Sequence, residues 1–121
     1  MRKPILCLAF DGVLNSYTSG WRDVEVIPDD PVPGAKDFLC RAMEHFEVHV
    51  FSSRSHQAMG ILAMYKWCLL HFGYDIANEL SFPVFKPPAK VTIDDRGYTF
   101  TGEWPSIEAL LSFKPWNKKG E

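Results

Sequence analysis

Three short apolar runs in this sequence each end in side chains that could do chemistry. Ile5-Leu6-Cys7-Leu8-Ala9-Phe10 runs into Asp11-Gly12. Val48-His49-Val50-Phe51 runs into Ser52-Ser53-Arg54-Ser55. Val91-Thr92-Ile93 runs into Asp94-Asp95, with Lys86-Pro87-Pro88 shortly before it. If the three runs are parallel strands, all three polar ends meet at one edge. That edge is where open α/β sheets bind ligands. Carboxylates gathered there raise one another's pKa unless a cation neutralises them. A hard divalent ion with oxygen ligands is the simplest neutraliser, and Mg²⁺ is the common one beside phosphate. A guanidinium such as Arg54 at the same edge would make paired hydrogen bonds to a phosphate.

The elements that must position these residues alternate. Ile5 to Phe10 reads as a central strand, too short and too uniformly apolar for a surface helix. The spacing of Ala35, Phe38, Leu39, Ala42, Met43 and Phe46 predicts a helix opened by Pro33-Gly34. Glu47 to Phe51 reads as a second strand. A second helix is expected from Gln57 to Phe72, with Gly73 as its C-cap. Its apolar arc is broad, which predicts deep packing. Phe82 to Phe85 is expected as a short strand, Val91 to Ile93 as a third, and Tyr98 to Thr101 as a further one. Pro105-Ser106 starts a last short helix carrying Ile107, Leu110, Leu111 and Phe113. Alternating strands and helices argue for an α/β fold with a mainly parallel sheet covered on both faces. Residues 15 to 33 form a long irregular stretch, and such length predicts a flap over a site. Tyr17, Trp21, Val24, Val26 and Ile27 suit a small hairpin within it.

At 121 residues the chain has the size of one domain. A net charge of -2 excludes a broad electrostatic footprint for nucleic acid. Lys114, Lys118 and Lys119 read as a solvated tail. Cys7, Cys40 and Cys68 show no spacing that suggests zinc, and they read as core residues of a reducing cytoplasm. No signal peptide or membrane-spanning stretch is expected, so the expected location is cytoplasmic. A homo-oligomer is left open. His45 and His71 fit capping or surface roles, and His49 reads as locally satisfied.

The three strand ends and the lysine, in this order, resemble the motifs of the haloacid dehalogenase (HAD) superfamily of phosphatases and phosphotransferases. The resemblance spans most of the chain, from Ala9 to Asp95. It implies a three-layer αβα, Rossmann-like fold over residues 1–121, with a short flap insertion at about 15–33. The first family motif is an apolar strand followed by Asp-x-Asp-Gly. Here Asp11 and Gly12 match its end, while Ala9 stands where the nucleophilic Asp belongs. The resemblance makes Asp11 the general acid/base and a Mg²⁺ ligand through its carbonyl. It makes Ser52, with Ser53, Arg54 and Gly12 beside it, the binder of the phosphoryl group. Lys86 matches the lysine that offsets charge, with Lys90 as the competing assignment. Asp94 matches a Mg²⁺ ligand, and Asp95 the carboxylate that orients its waters.

The implied activity is Mg²⁺-dependent phosphomonoester hydrolysis through an aspartyl-phosphate. With alanine at position 9, the chain lacks the nucleophile and one metal ligand, so it is expected to be nearly inert. Two accounts of Ala9 stand. One is a substitution made in a working enzyme, which the survival of Asp11, Ser52, Lys86, Asp94 and Asp95 favours. The other is a natural pseudophosphatase that binds phosphorylated ligands or protein partners without cleaving them. Neither insertion is long enough for a full cap. The chain thus resembles capless members, whose open sites accept nucleic-acid ends or phosphoprotein segments. A nucleotide or small metabolite is the alternative if the flap closes the site. No P-loop pattern suggests a kinase.

Overall fold

The computed structural model describes residues 2–94 and 100–112. It shows a mixed α/β arrangement around a small open sheet. The elements in chain order are β1 (Ile5–Leu8), α1 (Ala35–Ala42), β2 (Glu47–Val50), a 3-10 turn (Ser53–His56), α2 (Ala58–Phe72), α3 (Tyr74–Glu79), β3 (Val91–Ile93) and α4 (Ile107–Leu111). The strands lie in the order β2-β1-β3, all parallel. Most expected elements are present. The strand expected over Phe82 to Phe85 is not. Strand pairing there is confined to Ser81, whose N–H donates to the Val48 carbonyl and whose carbonyl accepts from the Val50 N–H. The helix α3 was not expected. Of the strand expected over Tyr98 to Thr101, Phe100 and Thr101 are described and form no strand. Asp95, Phe113, Lys114, Trp116, Lys118 and Lys119 lie outside the described residues.

The two faces of the sheet differ. Leu6, Leu8, Val48, Val50, Val91 and Ile93 share one face and are buried in the core. Ile5, Glu47, His49 and Thr92 alternate to the other face and are half-buried, around a buried Cys7. Topology explains this. The steps from β1 to β2 and from β2 to Ser81 run in one direction, and right-handed crossovers place α1 and α2 on the same face. The return from Ser81 past β2 and β1 to β3 is the step that would put a helix on the opposite face. Its connection, residues 82–90, contains Pro83, Pro87 and Pro88 and forms no helix. Instead it runs back along the sheet to Lys90, whose N–H donates to the Ile5 carbonyl. The second helical layer expected from the sequence is therefore missing over this connection.

The core joins all the helices to the closed face. Phe10 meets Trp67 of α2 edge-on, with ring centroids 5.0 Å apart. Phe38 of α1 stacks on Trp104, which leads into α4, at 4.6 Å. Ser106 caps α4 by accepting a hydrogen bond from the Ala109 N–H. Each fully buried large aliphatic side chain contributes about 1.5–3 kcal/mol. No helix among the described residues is long and apolar enough to cross a membrane.

The irregular 15–33 stretch is tied down along its length, although it forms no extended hairpin. Its antiparallel pairing is two isolated bridges, Asn15 with Pro31 at its ends and Asp23 with Val26. The Ser16 N–H donates to the Asp30 carbonyl, the Val32 N–H to the Leu14 carbonyl, and the Trp67 indole N–H to the Asp29 carbonyl. The Asp29 carboxylate accepts from the Ser19 hydroxyl (2.6 Å), the Ser19 N–H (2.9 Å) and the Thr18 hydroxyl (3.0 Å). The Ser19 hydrogen bonds hold its pKa below the usual carboxylate range.

Two predictions follow from this packing. Gly60 sits inside α2, and a Cβ there would run into the Arg54 carbonyl and come within 2.8 Å of Val24. Gly60→Ala is expected to destabilise the protein by about 1–3 kcal/mol in denaturant unfolding. Because the folded-state pKa of Asp29 is depressed, its contribution is present above the ordinary aspartate pKa of about 4 and is lost as pH falls below it. Asp29→Asn should flatten the acid limb of the stability curve relative to the parent chain.

Candidate functional site

The parallel registers set three strand ends side by side. Leu8 pairs with Val50 and with Ile93. One residue further, the Phe51 N–H donates to the Leu8 carbonyl and the Ala9 N–H to the Ile93 carbonyl. Ala9, Phe51 and Asp94 thus form one row at the C-terminal edge, on the half-open face. A cleft of about 560 Å³ opens over this row, lined by Ala9, Ser52, Ser53, Lys86, Asp94 and their neighbours Cys7, Phe51 and Thr92. Lys86 reaches in from the helix-free connection, and its Nζ lies 3.7 Å from Asp94 Oδ2. Lys90 is at the other end of the sheet, beside Pro4 and Ile5. The structure therefore brings Lys86, and not Lys90, to the cleft.

Ser52 is partly committed elsewhere. It caps the 3-10 turn, accepting from the Arg54 N–H at 3.0 Å, while its own N–H donates to the Ser55 hydroxyl. Its hydroxyl proton points to Met64 Sδ at 3.6 Å. Ser53 is exposed at the cleft rim.

Asp11, Gly12 and Arg54 depart from expectation, since none of them lines the cleft. After β1 the chain curls tightly, and the Phe10 carbonyl accepts from the N–H groups of Val13, Leu14 and Asn15. Gly12 has φ of 82° and gives its N–H to the Asn15 carbonyl. The curl turns Asp11 toward Arg54. Arg54 Nε donates to both Asp11 oxygens, at 3.0 and 3.3 Å, and Asn15 Nδ2 donates to Oδ1 at 2.9 Å. The Arg54 side chain is 1% exposed. Its Nη1 donates to the carbonyls of Asp23 and Val24 at 2.8 Å and of Val26 at 3.4 Å. The exposed Trp21 ring lies over its guanidinium at 4.6 Å. Arg54 is an internal clasp in this structure, not a phosphate ligand at the surface. Trp21 packs on that clasp.

Among the described residues, no three His, Cys, Asp or Glu side chains gather to hold a metal ion. Asp94 is the carboxylate of the cleft, Asp11 faces Arg54, and Asp95 lies outside the described residues. Mg²⁺ is usually held by one or two carboxylates together with substrate phosphate and waters. Asp94 is one such carboxylate among the described residues.

Cys7 is the other nucleophilic side chain of the cleft. Burial pushes its thiol pKa up to about 11, against the pull of Lys86. It stays protonated near neutral pH, so it supplies no thiolate. His49 is next to Cys7 in register, and neither ring nitrogen has a hydrogen-bond partner among the described residues; Glu47 Oε1 lies 3.8 Å from Nε2. The local partner of His49 is the Glu47 carboxylate, at ion-pair rather than hydrogen-bond distance.

Comparison with known protein families, curated proteins and solved structures finds no match to this chain.

Removing the clasp should be costly. Arg54→Met leaves the Asp11 carboxylate and the flap carbonyls without their donor. Losing one partner of a buried pair costs about 3–5 kcal/mol. Urea unfolding should show a loss of that order, and faster proteolysis within residues 15–33.

Proposed function

We propose that the chain is a phosphoester-binding protein built as a HAD-type phosphatase with the nucleophile position blank. The reading rests on one observation: Ala9, Ser52, Lys86 and Asp94 converge on one cleft at the C-terminal edge of a parallel sheet. These are the positions that the sequence resemblance assigns to nucleophile, phosphoryl binder, charge-offsetting lysine and metal ligand. The order of strands, with Ser81 beside β2 and β3 on the far side of β1, is compatible with that reading. The three-layer fold is part of the proposal, because the described residues form one helical layer.

A phosphate entering the cleft would find the Lys86 ammonium and the Ser53 hydroxyl. Ser52 would have to give up Met64 to donate to it. No side chain at position 9 can attack phosphorus, so the chain as written would hold the ester without cleaving it. In the enzyme form, a carboxylate at position 9 would attack phosphorus, and the bond from phosphorus to the leaving oxygen would break. That oxygen takes up a proton as it leaves. Asp11 could supply the proton only after releasing Arg54. A carboxylate at position 9 would also adjoin Asp94 across neighbouring strands. The two together would offer Mg²⁺ a pair of carboxylate donors. Substrates with an exposed phosphate, such as a nucleotide, a nucleic-acid end or a phosphoprotein segment, suit a cleft that no cap covers.

Ala9→Asp is expected to give Mg²⁺-dependent hydrolysis of an aryl phosphate, about three orders of magnitude or more above the parent chain. The parent chain should bind inorganic phosphate by calorimetry, and Lys86→Met should abolish that binding. A restored variant that turns over no member of a phosphoester panel would sink the enzyme reading.

A further inference from the structure

The helix α2 has two apolar stripes, and the fold uses one. Gly60, Met64, Cys68 and Phe72 face the core and are buried. Met59, Leu62, Ala63, Lys66 and Leu70 repeat at helical spacing on the outer side. Met59 is 50% exposed, Leu62 40% and Leu70 79%. A helix apolar on nearly all sides is normally buried on all sides. Ile27 of the 15–33 stretch faces the same patch. Between that stretch and α2 runs a groove of about 320 Å³. Glu25 stands on its one wall and Lys66 on the other, and they form no ion pair with each other.

We infer that this face of α2 is a twofold interface between two copies of the chain. The charge arrangement selects the occupant. A nucleic acid or an anionic membrane would require a cationic surface. This groove carries one acid and one base, which is self-complementary. A twofold axis across α2 offers Glu25 of each copy to Lys66 of the other, so the pair is made twice. Small Ala63, in the middle of the stripe, lets the two helices approach closely. Leu62, Leu70 and Met59 then bury the apolar surface that contiguous exposure leaves costly in a monomer. The groove also borders the segment held by Arg54, so the dimer would brace the 15–33 stretch from outside.

Sedimentation equilibrium on the full chain, from micromolar to millimolar concentration, tests this. The expected result is a monomer–dimer equilibrium. Leu70→Glu should abolish the dimer, and so should Leu62→Asp. Both positions are exposed, and unchanged circular dichroism melting of the monomer would show that the fold is intact. Glu25→Lys or Lys66→Glu alone should weaken the dimer about tenfold, since two rim pairs are lost at once. The double exchange should restore it. A single-chain mass at every concentration would overturn the proposal and leave the groove to a different protein. A dimer that survives both leucine variants, or charge variants without effect, would place the contact on another face and overturn it as well.

Discussion

A single buried guanidinium organises the region around the cleft. Arg54 lies 43 residues from Asp11 in sequence and about 30 from the carbonyls of Asp23, Val24 and Val26, yet it bonds to all four residues. Removing such a charge from water is expensive, and it persists only when its donors are met. The arrangement that meets them fixes three things together. The curl after β1 must present Asp11, the 15–33 stretch must present its carbonyls, and α2 must start close enough for a glycine at position 60. A change in any one exposes the others to an unmet charge or carbonyl.

The clasp also decides which polar residues the cleft receives. With Asp11 and Arg54 committed to each other, the cleft keeps Lys86, Asp94 and the serines. Among the described residues, the charges that line it are one cation and one anion. The floor is made by the sheet itself, because the connection that could have covered it is rich in proline. Proline costs roughly 3 kcal/mol in a helix interior, so residues 82–90 have no helical alternative to an irregular path. The irregular path brings Lys86 to the C-terminal edge and Lys90 to the N-terminal one. The same feature removes a layer from the fold and delivers the lysine.

The sequence made the three strands, α1, α2 and α4 legible, because each carries an apolar period long enough to read. It also made the row of strand ends legible, and with it Ala9, Ser52 and Asp94. α3 was hidden because Tyr74–Glu79 buries only Ile76 and Ala77, too few for a period. The strand expected over Phe82 to Phe85 failed because its apolar residues are turned out at a bend, with Val84 and Phe85 exposed, while pairing fell to polar Ser81. The inward turn of Arg54 is not legible in the sequence because its partners are mostly backbone carbonyls, which side-chain patterns do not reveal. One signal was present. Gly60 interrupts a helix of good formers, and a glycine there marks close backbone approach. The approaching backbone is that of Arg54.

Position 9 can be read electrostatically as well as chemically. Its neighbours in the row are Phe51 and Asp94, so a carboxylate there would sit beside another carboxylate on the adjacent strand. Lys86 alone, 3.7 Å from Asp94, could not neutralise both. A site with aspartate at position 9 needs a second cation and gains one more oxygen ligand with which to hold it. With alanine the need and the ligand disappear together. Among the described residues of the cleft, Lys86 is set against Asp94. Under the proposed function, alanine in place of the nucleophile would also lower the demand for a metal. On that reading, alanine at position 9 bears on what the cleft can bind as much as on what it can catalyse.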